Sequence, residues 1–233
     1  MRILGLITAR GGSKGVPKKN IKLLNGKPLL AYTVDAAKKS KLITEIALSS
    51  DDDEIIQTAI ALGLNVPFKR PFELAQDATS SIDVVAHALQ VYESKGVYFD
   101  AVCLLQPTSP FRKEGFIDAA IEKFTKQNTD CLLSVLQVPH EYNPHWTFLA
   151  HTNGTLTIAT GEKEIIKRRQ DLPPAFFRDG SIYITKTQVI KEKHSFYGES
   201  ISYIESDPAF FCNIDTLKDW ELAEEKVIQL SKI

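Results

Sequence analysis

The chain is poor in sulfur: three cysteines and one methionine among 233 residues. So few thiols, odd in number and each set in an apolar stretch (Cys103, Cys131 and Cys212), exclude a disulfide scaffold, and their spacing suits no zinc site. Buried free thiols in a reducing compartment, the cytoplasm, are the expectation. No apolar run approaches the roughly 20 residues of a membrane-crossing helix. The first segment carries Thr8 and Arg10 where a secretory leader is apolar. An excess of charge of either sign is also missing: 28 Lys and Arg against 29 Asp and Glu leave a net charge of −1. That balance argues against nucleic acid or a membrane surface as partner. No repeat, linker or low-complexity tract interrupts the chain.

What is present is ordinary for a globular protein, with 43% hydrophobic and 24% charged residues. The length suits one α/β domain, residues 1–233, with a protruding insertion. Strand-like and helix-like patterns alternate. Strands are predicted at 2–9, 45–49, 65–69, 101–105 and 131–137, and helices at 28–39, from the Ser50-Asp51-Asp52-Asp53 turn through 61, at 81–94 and at 115–127. The helix over 28–39 carries its stripe on Leu29, Leu30, Val34 and Ala37. The run 101–105 is nearly all apolar, as at the centre of a parallel sheet. Such alternation predicts a doubly wound, mostly parallel sheet.

From 138 to 174 the pattern changes. Short β-prone pieces at 146–149 and 155–159, separated by Asn153-Gly154, predict an antiparallel hairpin. Taken to its return strand at 180–185, this insertion spans about 138–182. Trp146, Phe148, Leu149, Leu156 and Ile158 have little local core to receive them, so the insertion is expected to form a homodimer interface. A helix over 216–231 ends the chain.

The first strand runs straight into Ala9-Arg10-Gly11-Gly12-Ser13-Lys14-Gly15-Val16-Pro17-Lys18-Lys19-Asn20. Glycines let a loop close tightly, and amides with fixed cations after a strand make a polyphosphate site. The loop fits neither familiar phosphate motif. In a G-x-x-x-x-G-K-[ST] frame the second glycine falls on Val16 or Pro17, and in a G-x-G-x-x-G frame Ser13 stands in the second glycine's place. Lysines within the loop suggest a triphosphate met by side-chain charge as well as by amides. A basic surface turn is the plainer alternative, and Lys18 is read that way.

This loop resembles the signature of the N-acylneuraminate (sialic acid) cytidylyltransferases, which make CMP-sugars from CTP. Three further segments match in order across nearly the whole chain. They are Arg70-Pro71 with Glu73-Leu74-Ala75 and Ser80-Ser81, then Leu105-Gln106-Pro107-Thr108-Ser109-Pro110-Phe111-Arg112, and Asn213-Ile214-Asp215-Thr216 before the last helix. The resemblance implies a Rossmann-like nucleotidyltransferase fold. It implies transfer of CMP to the anomeric hydroxyl of a sialic-acid-like nonulosonic acid, with magnesium as cofactor and with CTP and an acidic nine-carbon sugar as partners. Another acceptor, of legionaminic, pseudaminic or 3-deoxy-manno-octulosonic type, and a CTP-binding sensor without turnover are the alternatives.

The resemblance also assigns residues. Arg10, Ser13, Lys14, Lys19 and Asn20 hold the triphosphate and nucleotide, with Arg10 and Lys14 steadying charge in the reaction. Arg70, Ser80 and Ser81 meet cytosine, although Ser80 or Ser81 can cap the following helix and Arg70 can pair with a surface carboxylate. Gln106, Thr108 and Ser109 meet the acceptor sugar on a loop stiffened by two prolines; the hydroxyls of Thr108 and Ser109 are also candidates for helix capping. Arg169, with Arg178 nearby, takes the acceptor carboxylate through a planar guanidinium, and Tyr183 packs on the sugar. Asp215 and Asn213 hold the metal. Many relatives read Asp-Ile-Asp, so the amide at Asn213 leaves one anionic ligand, and Asp215 has a competing reading as a helix cap. Trp146 stands where several sialic-acid-specific relatives carry lysine, which bears on the choice of acceptor. No histidine is assigned a role.

Overall fold

The computed structural model describes residues 1–231. Strand β1 (Ile3–Thr8) alternates its side chains between two apolar layers: Ile3 and Ile7 enter one buried cluster, Leu4 and Leu6 another. Two-residue strands β2 (Leu23–Leu24) and β3 (Lys27–Pro28) pair antiparallel and lead into α1 (Leu29–Lys39). There follow β4 (Glu45–Ser49), α2 (Asp53–Ala61), α3 (Ser81–Ser94), β5 (Ala101–Leu105), α4 (Phe116–Gln127) and β6 (Cys131–Gln137). The insertion contributes β7 (Phe148–Ala150) and β8 (Leu156–Ile158). The chain closes with β9 (Phe176–Lys186), α5 (Thr187–Lys193), β10 (Ile201–Glu205) and α6 (Leu217–Leu230).

Six strands form one sheet in the order β10-β6-β9-β5-β1-β4. All neighbours pair parallel except at β9, which runs antiparallel to both β5 and β6. Helices α1, α2 and α4 cover one face through Leu30, Val34, Ile55, Ile121 and Phe124. Helices α3 and α5 cover the other through Val85, Leu89 and Ile190. The doubly wound, mostly parallel architecture is therefore the one the alternation predicted. A third cluster, with Val16, Phe111, Ile214 and Trp220, docks α6 against loops at the sheet's carboxyl edge. That cluster is what brings the first loop, the β5 loop and the segment before α6 together.

Three local differences have physical reasons. The strand expected over 65–69 is a single bridge, Ala47 to Asn65; Pro67 lacks the amide a ladder needs. Helix α5 and strand β10 were not anticipated. The tryptophan of the expected first hairpin strand lies instead in a 3-10 turn, Pro144–Trp146, so the strand starts at Phe148. The hairpin itself is present, with Phe148 opposite Ile158, and Phe148, Leu149 and Leu156 are exposed. Cys103 and Cys131 are buried and Cys212 half-buried, all unpaired. Among the described residues, no helix is long and apolar enough to cross a membrane.

Candidate active site

The site lies at the carboxyl ends of β1, β4 and β5, where open α/β sheets gather ligands. The loop after β1 is fixed there by backbone contact: Ala9 N donates to Ser49 O at 3.0 Å, and Gly11 N to Asp51 Oδ1 at 3.1 Å. Two glycines are needed for close approach to acidic segments. A Cβ on Gly11 would lie 2.6 Å from Asp52 Oδ2, and one on Gly15 would lie 1.9 Å from the carbonyl oxygen of Asp215. Gly15 thus lets the phosphate loop press directly on the segment before α6.

Lys19 makes the same connection. Its half-buried ammonium donates to Ile214 O at 2.7 Å and lies 3.4 Å from Asp215 Oδ1. Burial pushes its pKa down, opposed by the Asp215 carboxylate. Asn20 is buried and donates to Arg10 O at 3.0 Å, holding the loop's backbone rather than reaching outward. Lys18 pairs with Glu54 at 2.7 Å on the surface. Asp51, Asp52 and Asp53 divide their work as a strand-to-helix turn. Asp51 accepts from Gly11, Asp52 caps α2 by accepting from Ile55 N at 3.0 Å, and Asp53 pairs with Lys69 at 2.6 Å.

Arg70 is buried. Its Nε donates to Ser49 Oγ at 2.9 Å and its Nη2 to Ser49 O at 2.6 Å. Desolvation lowers its pKa to about 10, with Asp51 opposing the drop. The surface ion pair considered for Arg70 is therefore not what the structure contains. Ser80 is the cap of α3, accepting from Asp83 N at 3.3 Å, which leaves Ser81 as the free hydroxyl.

Two adjoining cavities result. One, of about 270 Å³, is faced by Arg10, Ser13, Lys19, Asn20 and Arg70. The other, of about 740 Å³, is faced by Arg178, Tyr183, Asn213 and Asp215. Ser81, Gln106 and Thr108 face both. Ser109 faces neither: it is buried, with its hydroxyl 3.4 Å from Asp179 O. Lys14 stands outside the lining of the smaller cavity, its ammonium paired with Asp77. Arg169 begins an exposed 3-10 turn, Arg169–Asp171, within the insertion and lines neither cavity. Trp146 also stays in the insertion, with its indole N–H donating to Ile166 O at 2.7 Å.

Residues that the sequence reading left without a role complete the larger cavity. His194, Phe196 and Tyr197, between α5 and β10, line it. Tyr197 Oη accepts from Arg178 Nη1 at 2.8 Å, and His194 Nε2 lies 2.7 Å from Asp83 Oδ1. Arg112 organises the β5 loop from behind. Half-buried overall but with its guanidinium enclosed, it donates to Gln106 O at 3.0 Å, to Ser181 O at 2.9 and 3.1 Å and to Thr33 Oγ1 at 3.1 Å. Desolvation lowers its pKa to about 10. Asp179, buried beside it, accepts from Ser134, Ser206 and the amide of Ser181. The Gln-Pro-Thr-Ser-Pro-Phe-Arg spacing was the one available signal for Arg112; nothing local marked the 194–197 segment.

Asp215 does not cap α6. Thr216 does, in a capping box with Asp219. The Asp215 carboxylate is left facing the larger cavity, 2.7 Å from Asn213 Nδ2. Among the described residues no three His, Cys, Asp or Glu side chains gather as a metal site. One exposed carboxylate beside an amide fits a magnesium ion that takes its other ligands from phosphate and water, and does not fit a caged structural metal.

Cations at a glycine-rich loop, beside a second cavity at the end of a mostly parallel sheet, suit a nucleotidyltransferase. The chain belongs to the cytidylyltransferase family, whose model matches residues 4–224. It is 38% identical to CMP-N,N'-diacetyllegionaminic acid synthase of Legionella pneumophila, over 100% of this chain and 98% of that one. It is 34% identical to the pseudaminic acid cytidylyltransferase of Campylobacter jejuni, over 96% of this chain and 95% of that one. Among solved structures, a CMP:2-keto-3-deoxy-manno-octonic acid synthetase complexed with CTP superposes with a TM-score of 0.72 at 15% identity, each chain covered in full. That likeness speaks for the fold.

Proposed function

We propose that the protein transfers CMP from CTP to the anomeric hydroxyl of a nonulosonic acid. One observation carries the reading: a cavity bearing Arg10, Lys19 and Arg70 and a larger cavity share Ser81, Gln106 and Thr108 in their walls. CTP fits the first, with Arg70 and Ser81 toward the base and Arg10, Ser13, Lys14 and Lys19 toward the phosphates. The acceptor fits the second, between Gln106, Arg178 and Tyr183. The acceptor oxygen attacks the α-phosphorus in line, the bond to the β-phosphate breaks, and pyrophosphate leaves as the hydroxyl proton is lost. The protein's part is positioning and neutralisation of charge. A magnesium ion held by Asp215, with Asn213 beside it, would supply further neutralisation at the triphosphate.

Full-length similarity to enzymes named for legionaminic and pseudaminic acids supports an acidic nine-carbon sugar as acceptor. The exposed apolar residues of β7 and β8 support a homodimer in which Arg169 and Trp146 meet the partner's acceptor site. The free cysteines support a cytoplasmic setting. The amide at Asn213 favours a second reading, a CTP-binding sensor without turnover.

Pyrophosphate release with CTP and magnesium is the test, run against N-acetylneuraminate, diacetyllegionaminate, pseudaminate and 3-deoxy-manno-octulosonate. Turnover with one of the nine-carbon acids is expected. CTP binding without release on any acceptor would leave the sensor reading, and turnover on the eight-carbon acid alone would move the acceptor.

A further inference from the structure

Two cations of the phosphate loop, Arg10 and Lys14, share one carboxylate. Arg10 Nη1 lies 2.8 Å from Asp77 Oδ1, and Lys14 Nζ pairs with the second oxygen of the same carboxylate. Asp77 comes from the surface segment between the 3-10 turn Phe72–Ala75 and α3, and it lines the smaller cavity. The segment is held by bonds of its own, Thr79 N to Gln76 O at 3.1 Å and Gln76 Nε2 to Phe72 O at 2.8 Å. The segment therefore has support other than the Asp77 pair, and exposed ion pairs of this kind add little to stability.

The pair matters for a ligand. A polyphosphate needs the cations that Asp77 occupies, so the carboxylate competes with it for the same two charges. The cavity's size agrees. At about 270 Å³ it falls just under the range of roughly 300–1,000 Å³ usual for small-molecule sites, and the adjoining cavity, which has no such bridge across it, is far larger.

We propose that Asp77 is a built-in counterion of the triphosphate site, one that holds Arg10 and Lys14 together until a polyphosphate displaces its carboxylate. The proposal rests on the smaller cavity being the CTP site. A triphosphate carries several times the charge of one carboxylate and gains more from two adjacent cations than the carboxylate does. Orthophosphate gains less. Asp77 thus raises the threshold for short phosphates and helps expel pyrophosphate after transfer, because it returns to the cations as the product leaves.

The test is Asp77→Asn, which keeps the side chain's shape and removes its charge. Calorimetric titration with pyrophosphate and with orthophosphate is paired with steady-state kinetics in CTP. Pyrophosphate is expected to bind the variant about two- to fivefold more tightly, as loss of a competing exposed ion pair implies. The KM for CTP should fall by a similar factor, and kcat should stay level or drop. Asp77→Glu should behave as the parent. In a Lys14→Met background the Asp77→Asn effect should shrink, because one of the two contested cations is gone. Unchanged or weaker pyrophosphate binding by Asp77→Asn, with the parent protein binding CTP normally, would overturn the proposal and leave Asp77 as a loop anchor. Failure of the parent itself to bind CTP or pyrophosphate would instead remove the nucleotide reading of the cavity, and the proposal with it.

Discussion

The smaller cavity takes two of its three cations, Arg10 and Lys19, from one short stretch of chain, and Lys14, on the same stretch but outside the lining, has a side chain 82% exposed. The acceptor cavity draws its residues from the β5 loop, β9, the segment after α5 and the segment before α6. These segments lie far apart in the chain, and their alignment depends on an enclosed guanidinium, Arg112, and a buried carboxylate, Asp179. Charge at the ends of long, exposed side chains can adapt to a polyanion whose shape changes during the reaction. A sugar distinguished by hydroxyls and acyl groups needs donors and acceptors held at fixed points. The first half is therefore expected to lose rate without losing fold when a charge is removed, and the second to lose fold together with function when its supports are removed.

Arg112→Ala gives the largest effect. It strips the Ser181 carbonyl of its guanidinium donors and leaves the Gln106 carbonyl only the Ser109 amide at 3.2 Å, and loss of a buried polar partner costs about 1–3 kcal/mol for a group left unsatisfied. Thermal or denaturant unfolding should show a loss of about 2–5 kcal/mol, with the KM for acceptor rising more than that for CTP in whatever protein remains folded. An unchanged melting curve would show that the acceptor wall supports itself. Lys14→Ala should do the reverse. Unfolding should be unaltered, while turnover falls by about 2–4 kcal/mol in barrier, the usual effect of removing one preorganised electrostatic group. Near-normal turnover would make the loop's outer cation a surface charge and dissolve the contrast from the other side.

The contrast also explains what was legible. Strands β4, β5 and β6 and helices α2 and α3 have period and capping within their own residues, and they fall where the pattern puts them. The phosphate loop could be read because its charges are contiguous. Helix α5 is only seven residues long and buries just Thr187, Val189 and Ile190, too little for a period to show. Strand β10 reads inside out, with Ser202 buried while Ile201 and Tyr203 face outward. The acceptor-lining segment 194–197 lies between these two elements, so missing them meant missing it. Arg112 was visible as a letter in a motif, but its partners are carbonyls, and carbonyls leave no mark in a sequence. Arg169 was assigned to the acceptor as part of an insertion that reaches a second copy of the chain and helps cover its sugar site; within one chain it lines neither cavity, and the assignment rests on that second copy.

The smallest expected effect tests whether the unanticipated segment belongs to the acceptor site at all. Arg178 is exposed, and Tyr197 Oη, which accepts from it at 2.8 Å, fixes where its guanidinium points. The neighbouring hydroxyl and the burial of Tyr183 work in the same direction: burial pushes the Tyr183 pKa up, so its phenol remains a donor, and Arg178 opposes only part of that rise. Tyr197→Phe keeps the ring against the cavity and removes the one atom that orients Arg178. A neutral acceptor lost from a charged donor on a half-open surface is worth about 0.5–1.5 kcal/mol, so the KM for acceptor should rise about two- to tenfold, with kcat and the KM for CTP unchanged. Arg178→Ala should raise the acceptor KM by at least as much, and the double variant should add little to Arg178→Ala alone, because the tyrosine acts through the arginine. Additive losses would mean that Tyr197 touches the sugar independently. No loss from either variant would confine acceptor recognition to Gln106 and Tyr183 and remove the segment after α5 from the site.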